Sequence, residues 1–165
     1  NAIDNSTVGQ GGALSGERHA WGGVYNTGGE VTPVISAGTN GLSIWEIGRG
    51  SADTCKFMVR RALTNWTHVV LVYSNKTPFL YVDGVSQGSG SDAGWDVQAK
   101  LNLGISKDVN WNATQYYSGG LDEVRFGKSA AFSSNRAWAA YLNVASNTVF
   151  CRYGAQGAGP IFYFQ

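Results

Sequence analysis

Short runs of alternating apolar and polar residues recur along the chain, and they predict β-strands. The clearest is LSIWEIG, residues 42–48, in which Leu42, Ile44 and Glu46 share one face. Pro33 places another run, VTPVISA, at a sheet edge or a bulge. Further short runs are AWGGVY, KFMVRR, KLNLGI, YYSGGLDEVRF and TVFCRY, at 20–25, 56–61, 100–105, 116–126 and 148–153. Separated by Gly, Asn and Ser, these runs are typical of an all-β protein.

The strongest strand signal is WTHVVLVYSNKTPFLYVDG, residues 66–84, which predicts a β-hairpin. Its first arm begins at Trp66 and carries β-branched or aromatic residues on both faces, as expected of a strand covered on both sides. A polar break has turn chemistry, and the return arm ends in Asp83–Gly84, a signal for a second tight turn. His68 is interpreted as a packing residue because no nucleophile or acid accompanies it. The hairpin is therefore predicted to be the structural middle of a sandwich.

One helix is predicted near the end of the chain. Ser133 or Ser134 can cap a helix that begins at Asn135, and apolar residues then recur at helical spacing over 137–142. This stripe, which includes Trp138, is expected to lie on the sandwich. The Gly- and Ser-rich stretch 86–94 predicts a loop.

The chain divides into three parts. Residues 1–16 are polar and Gly-rich and predict an N-terminal arm or loop, and residues 17–153 predict the β-sandwich domain. Residues 154–165 predict a Gly-rich linker followed by an apolar C-terminal strand. That strand consists of Ile161, Phe162, Tyr163 and Phe164.

Composition and charge argue against binding to nucleic acid and insertion into a membrane. The 165 residues carry a formal net charge of +1 with acids and bases interspersed, which predicts no binding to nucleic acid. No apolar run approaches the roughly 18 residues that span a bilayer, so no membrane insertion is expected. The sequence shows neither a signal peptide nor an initiator Met, and we expect a processed or excised product. Low charge with abundant Gly, Asn and Ser favours an extracellular or cell-surface location.

The two cysteines, Cys55 and Cys151, are too few for a closed zinc site. A disulfide between them would close a loop of roughly 95 residues and stabilise the fold by about 4–5 kcal/mol on the chain-entropy model. Such a bond also implies an oxidising compartment. The alternative is two buried, unpaired thiols, and the disulfide is the favoured prediction.

Three stretches together resemble the laminin-G-like, concanavalin A-like jelly roll in its bacterial extracellular form. SAGTNGLSIWEIG (36–48) resembles its glycine-turn strand, and the hairpin 66–84 resembles its central W-x-H-V hairpin, which ends in Y-V-D-G. GGLDEVRF (119–126) with the helix after it resembles its G-x-L/I-D-E-V-R-I strand and terminal helix. The resemblance implies an all-β fold, a two-sheet antiparallel jelly-roll sandwich with one short C-terminal helix.

The resemblance has one departure, at the start of the chain. Members of the family normally open with two strands, one of which reads like F-x-I-x-x-W, and residues 1–16 contain nothing of the kind. A missing strand leaves an open sheet edge. Either the domain is incomplete as given, or the missing strand is supplied from elsewhere. In the second case, the strand 161–164 is predicted to fill such a gap, in its own domain or in a neighbouring copy, by strand addition.

Two loops carry candidate ligand-binding residues. Some laminin-G-like domains bind one calcium ion at a sandwich rim, and Ca²⁺ takes Asp, Asn and carbonyl oxygens. The candidate calcium ligands are Asp92, Asp96 and Asp108, and the alternative is that these are solvated loop acids. Exposed aromatic side chains can serve as platforms for glycans, and the alternative is that they are loop anchors packed into the core. The candidate glycan-binding residues are Trp95, Trp111, Asn110 and Asn112.

A glycoside hydrolase needs two carboxyl groups about 5–10 Å apart across one bond. The chain contains four Glu, and the adjacent pair Asp122 and Glu123 would point to opposite faces of a strand, with Arg125 on the Glu123 face. We therefore predict no enzymatic activity. The favoured hypothesis is an extracellular adhesion or assembly module that binds copies of itself or neighbouring extracellular domains. The alternative is a lectin-like module that binds carbohydrate through rim aromatics.

Overall fold

The computed structural model describes residues 19–21, 30–38, 41–47, 54–92, 94–98, 117, 119–127 and 132–146. These residues form eight strands and one helix. The elements are β1 (His19–Trp21), β2 (Glu30–Gly38), β3 (Gly41–Ile47), β4 (Thr54–Arg60), β5 (Val69–Ser74), β6 (Thr77–Val82), β7 (Val85–Ser89), β8 (Asp96–Val97) and α1 (Ser134–Ala145). One sheet has the order β1–β2–β3–β4, with β8 also paired to β2, and the other has the order β5–β6–β7. The predicted all-β, two-sheet architecture with one short helix is confirmed.

The first sheet is organised around the antiparallel pair β2–β3, whose register runs from Thr32 opposite Ile47 to Gly38 opposite Gly41. On its other side, β2 pairs with β8 near Val31 and with β1 near Ile35. Pro33 falls between these two stretches. The prediction of an edge or a bulge at Pro33 thus holds locally, since β3 is the only described strand that pairs with β2 at this residue, although β2 as a whole is an inner strand. Pro33 sits at a gap in the ladder among the described residues, where a residue without a backbone N–H is tolerated.

The main core lies between the two sheets. Leu42 and Ile44 of β3 pack with Leu80 and Val82 of β6 and with Leu63 to form one buried cluster. The face predicted from the alternation 42–44–46 is thus the core face. Burial of these apolar side chains is the principal source of stability in such a sandwich.

The opposite face of the first sheet is buried as well. Val34 and Trp45 form a second buried cluster, against which Cys55 packs. The Trp45 indole N–H donates a hydrogen bond to Ser43 Oγ at 2.8 Å, so the polar atom of this buried ring is satisfied.

The predicted hairpin is confirmed as β5–β6, with Ser74 opposite Thr77. Its turn residues, Asn75 and Lys76, have φ angles of 47° and 65°, the left-handed geometry of a tight two-residue hairpin turn. The first arm is shorter than predicted, because the strand begins at Val69 and Trp66 lies outside it with 75 % of its surface exposed. Strand β6 ends at Val82, and beyond it the Asp83 N–H donates a hydrogen bond to the His68 carbonyl oxygen at 2.8 Å.

The loop predicted over 86–94 is wrong in its first half, because β7 pairs with β6 there. Asp83 and Gly84 form the tight turn between the two strands, with φ angles of 51° and 75°. Ser- and Gly-rich sequence is compatible with β7 because most of its side chains are exposed and contribute little packing.

The strand predicted over 116–126 is wrong within 119–127, where the chain is irregular. Glu123 has a φ of 51°, which interrupts an extended backbone. The Asp122 carboxylate accepts a hydrogen bond from the Glu123 N–H at 2.8 Å and supports this bend. Arg125 does lie on the Glu123 side, as predicted, with Nη2 2.6 Å from Oε2 of Glu123.

The predicted helix is confirmed as α1. Ser133 is its N-cap, and Ser133 Oγ accepts a hydrogen bond from the Arg136 N–H at 3.4 Å. Ala137 is buried, whereas Trp138 keeps 53 % of its surface exposed, so the apolar stripe covers the sandwich less fully than predicted. The helix lies over the β6–β7 turn, because a Cβ built on Gly84 would sit 3.1 Å from Trp138 Cα.

Several predicted segments lie outside the described residues. They are the arm 1–16, the strands 100–105 and 148–153, and the linker and strand of 154–165. Within the described part of the chain, no helix has the length and apolar character that a membrane span requires.

Gly84 generates a testable prediction about how α1 is docked. Gly84→Ala is expected to lower the free energy of unfolding by about 2 kcal/mol, because it adds a Cβ at positive φ directly under the helix. Urea denaturation of the full chain would measure this loss.

Two glycines provide matched controls for that measurement. Gly94 has a φ of 70° but no heavy atom within 4 Å of a built Cβ, so Gly94→Ala should cost about 1 kcal/mol through backbone strain alone. Gly127 also has open space and no such φ, and Gly127→Ala should change stability by less than about 0.5 kcal/mol. An equal effect at Gly84 and Gly94 would contradict a close approach of α1 to the turn.

Candidate functional site

The candidate site lies where the chain passes from β7 to β8. Trp95 directly precedes β8 and keeps 54 % of its surface exposed. The next residue, Asp96, forms an ion pair with Lys76 in the β5–β6 turn, with Lys76 Nζ 3.0 Å from Asp96 Oδ1. A residue of the first sheet is thus tied to a turn of the second. We call Lys76, Asp92, Gly94, Trp95 and Asp96 the Trp95 rim.

The loop before Trp95 is shaped by Asp92. The Asp92 carboxylate accepts a hydrogen bond from the Gly94 N–H at 2.8 Å, a local turn that Gly94 completes at a φ of 70°. The Asp92 carbonyl oxygen accepts a hydrogen bond from Lys56 Nζ at 3.3 Å. Both oxygen-bearing groups of Asp92 therefore have protein partners.

Beneath the rim lies a buried carboxylate, Glu46, which is 1 % exposed. Tyr73 of the second sheet donates its hydroxyl to Glu46 Oε1 at 3.0 Å, and Lys56 Nζ lies 3.4 Å from Oε2. Burial raises the pKa of Glu46, and the Tyr73 hydrogen bond and the Lys56 charge oppose that rise. Burial and the neighbouring carboxylate likewise raise the pKa of Tyr73.

A β-bulge directs Lys56 into this cluster. Ile44 pairs with Phe57, but the next residue of β3, Trp45, pairs with Cys55, so Lys56 is an extra residue in β4. A bulge re-aims side chains locally, and here Lys56 reaches the interior carboxylate on the core face. Sequence alternation alone could not reveal this, because it assumes an unbroken period of two.

The predicted glycan-binding and calcium residues are partly described. Trp95 is an exposed rim residue rather than a core anchor, whereas Trp111, Asn110, Asn112 and Asp108 lie outside the described residues. Asp92 is bonded to Gly94, and Asp96 is paired with Lys76. Among the residues that the structure describes, no three His, Cys, Asp or Glu side chains come together as a metal site. The calcium site and the glycan site both stay predictions.

Cys55 is half-buried and forms no disulfide with another described residue, and its Sγ donates to the Phe57 carbonyl at 3.7 Å. Burial raises its pKa to about 11, so the reactive thiolate is scarce at neutral pH. Its predicted partner, Cys151, lies outside the described residues, and the disulfide stays a prediction.

The described glutamate side chains are not arranged as a hydrolase pair. Glu46 is sealed from solvent and held by Tyr73 and Lys56. Glu123 is exposed and forms a 2.6 Å ion pair with Arg125. The two glutamates lie in different contacts, one interior and one exposed, and do not form together the carboxyl pair that hydrolysis requires.

His68 lies near the other end of the sandwich, between the β6–β7 turn and α1. Its backbone N–H donates to Asp83 Oδ1 at 3.0 Å, and its ring centroid is 6.0 Å from that of Tyr141. Asp83 also forms a 2.8 Å ion pair with Arg61. Burial lowers the pKa of His68, with Asp83 opposing and Arg125 adding to the effect. These contacts support the interpretation of His68 as a packing residue.

The lowered pKa of His68 predicts a loss of stability in acid. The unfolded chain takes up this proton near the ordinary pKa of 6.5, whereas the folded chain resists it until a lower pH. Stability should therefore fall as the pH drops from about 7.5 to about 5. The measurement is urea unfolding across that range, with His68→Phe as the non-titrating control. Identical pH profiles for the two proteins would contradict the prediction.

Comparison with known proteins identifies the family. No curated protein matches the chain. Among solved structures, an S-layer domain-containing protein from Clostridium thermocellum is similar, with 18 % identity, coverage of 82 % of this chain and 64 % of that chain, and a TM-score of 0.40. A family model described as the concanavalin A-like lectin/glucanases superfamily matches residues 13–150. This match covers most of the chain, and the chain belongs to the concanavalin A-like lectin/glucanases superfamily.

Proposed function

We propose that the domain is a non-enzymatic extracellular binding module whose Trp95 rim binds carbohydrate. The superfamily contains both lectins and glucanases, so membership by itself leaves binding and hydrolysis open. The observation that carries the proposal is Trp95, a large aromatic residue with 54 % of its surface exposed on a loop that polar contacts fix.

The chemistry of the Trp95 rim suits a sugar. An indole face offers a flat apolar platform for the C–H groups of a pyranose ring, while polar groups at its edge fix the hydroxyls. Asp96 directly follows Trp95 and pairs with Lys76, and in this proposal the two side chains supply an acceptor and a donor of opposite charge. Because their charges cancel, a neutral polysaccharide is the ligand class that we favour.

The absence of enzymatic activity is part of the proposal, and Glu46 supports it. A raised carboxyl pKa is a property of many catalytic acids, and Glu46 has one. A general acid must also come within hydrogen-bond reach of its substrate. Glu46 is 1 % exposed, and its two oxygens contact Tyr73 and Lys56 rather than solvent. We therefore assign its perturbed pKa to a structural role.

The extracellular location rests on composition and family. The sequence has 14 % charged residues and 23 Gly, a composition common in secreted β proteins. A laminin G-like member of the superfamily fits a module exposed at a cell surface.

Trp95→Ala provides the direct test of carbohydrate binding. We expect it to abolish retention on immobilised polysaccharides that retain the wild-type chain, while the melting temperature changes little because the ring is exposed. Affinity electrophoresis over β-glucan, mannan, chitin and pectin would supply the probes.

Trp138→Ala is the matched control, since Trp138 is 53 % exposed but lies on α1. Its retention should equal that of the wild type. Equal retention of Trp95→Ala and wild type, or no retention of the wild type on any probe, would contradict a glycan site at the Trp95 rim.

A second candidate function is assembly by strand addition, and an open edge supports it. Strand β7 pairs with β6 on one side and has no partner on its other side in the part of the chain that the structure describes. Its first residue, Val85, is 61 % exposed. Open edges accept an added strand from the same or another chain. The proposed donor is the apolar segment 161–164, in the chain itself or in a neighbouring copy.

Removal of residues 161–165 tests the assembly hypothesis. We expect the truncated chain to lose oligomers or to unfold at a lower temperature, since an edge would lose its partner strand. Size-exclusion chromatography with light scattering and a thermal melt would measure both effects. A truncated chain with unchanged mass distribution and unchanged melting temperature would exclude this role for the segment.

A further inference from the structure

We propose that Glu46 and Lys56 are positioning residues for Trp95. The buried Glu46 carboxylate orients the Lys56 ammonium group, and Lys56 in turn holds the backbone of the loop that presents the indole ring. The effect on ligand affinity rests on the proposed function. The ordering of the loop can be tested without any ligand.

The positioning follows a continuous series of contacts from the core to the rim. Lys56 Nζ lies 3.4 Å from Glu46 Oε2 and 3.3 Å from the Asp92 carbonyl oxygen. The Asp92 carboxylate then accepts the Gly94 N–H at 2.8 Å, and Trp95 is the next residue. One ammonium group thus joins an interior carboxylate to the turn that directly precedes the tryptophan.

Polar contacts have to hold this loop, because its described side chains bury little apolar surface. Residues 91, 92, 94 and 95 are all exposed, and Trp95 itself points more than half of its surface to solvent. By contrast, the Lys56 side chain is 13 % exposed and reaches the loop from within the sandwich. A hydrogen bond from a charged group to a backbone carbonyl is stronger than one between neutral groups.

The burial of Glu46 makes its carboxylate and the Lys56 ammonium group depend on each other. Glu46 Oε2 is buried and has no hydrogen-bond partner among the described residues, so the Lys56 charge at 3.4 Å is what compensates it there. Tyr73 satisfies the other oxygen, Oε1, and fixes the carboxylate between the sheets. Removal of the Glu46 charge would free Lys56 to turn toward solvent, as long cationic side chains do. The bond to Asp92 would then be lost.

The other polar contact of the loop provides a contrast. Lys76 pairs with Asp96 on the far side of Trp95, and both side chains are largely exposed. Exposed pairs contribute little to stability. Lys76→Met therefore serves as a matched control that removes a lysine from the same rim without touching the interior pair.

The experiment measures hydrogen–deuterium exchange of the full chain without ligand, comparing a peptide that covers 90–97 with one that covers β6. Glu46→Gln, which preserves the side-chain shape, and Lys56→Met should each raise exchange of the loop peptide about tenfold, while β6 stays protected. Lys56→Arg keeps the charge and, unlike Lys56→Met, should retain most of the wild-type protection of the loop peptide. Lys76→Met should change loop exchange less than about threefold.

The outcomes separate positioning from general stability. If Glu46→Gln leaves loop exchange at the wild-type level in a folded protein, the proposal is overturned. An equal rise in the loop and in β6 would also overturn it, since it would show global destabilisation. Should Lys56→Met fail to fold, loop exchange in Glu46→Gln and Lys56→Arg still tests the proposal.

Binding provides the second readout. On a polysaccharide that the wild-type chain binds, Glu46→Gln should weaken affinity about tenfold, and Lys56→Arg should lie within about threefold of wild type. Unchanged affinity of Glu46→Gln, together with loss of binding in Trp95→Ala, would refute the positioning role and leave the glycan site intact. If Trp95→Ala binds normally, the proposed function fails, and the exchange data still test the ordering of the loop.

Discussion

A carboxylate enclosed between two β-sheets determines how one end of this sandwich is built. Leu42 and Ile44 fill the apolar core, and the next residue on the same face is Glu46. A buried charge is costly unless it is paired and hydrogen-bonded. The phenol of Tyr73 and the ammonium of Lys56 meet that requirement from the opposite sheet and from the neighbouring strand. The apolar core therefore stops at this position, and a polar layer begins.

The two ends of the sandwich differ in how they are closed. Near α1, the helix covers the β6–β7 turn at Gly84, and His68 packs against Tyr141. At the Trp95 rim, charged groups rather than apolar contacts hold the chain. This division is common in β-sandwiches, where a rigid scaffold presents loops that carry recognition. It also explains why the sequence of the β5–β6 hairpin predicts the fold but carries little information about function.

Sequence patterns predicted those elements whose signals are local. The β5–β6 turn, the tight turn at Asp83 and Gly84, and the Ser133 cap each depend on a few adjacent residues, and all three are confirmed. Strand β7 was missed because its Gly and Ser residues resemble a loop, and its pairing is visible only beside β6. Composition alone cannot reveal such an edge strand.

The candidate site was predictable only in part, because some of its geometry also depends on pairing between strands. Trp95, Asp92 and Asp96 were identified as loop residues with suitable chemistry, and the structure places all three at one rim. Lys56 could not be identified, because its direction depends on a bulge that exists only against β3. The bend at Glu123 was likewise hidden, since a positive φ at a non-glycine residue has no clear sequence signal.

Two lysines, Lys76 in the Trp95 rim and Lys56 beneath it, imply a graded response to ionic strength. The Lys76–Asp96 pair is exposed, so dissolved salt screens it readily. The Lys56–Glu46 pair is enclosed, and screening reaches it far less. In concentrated salt the outer attachment of the loop loosens while the inner one persists. The inner contact at Asp92 would then keep the loop attached to the sandwich, while the Asp96 side of Trp95 becomes slightly less restrained.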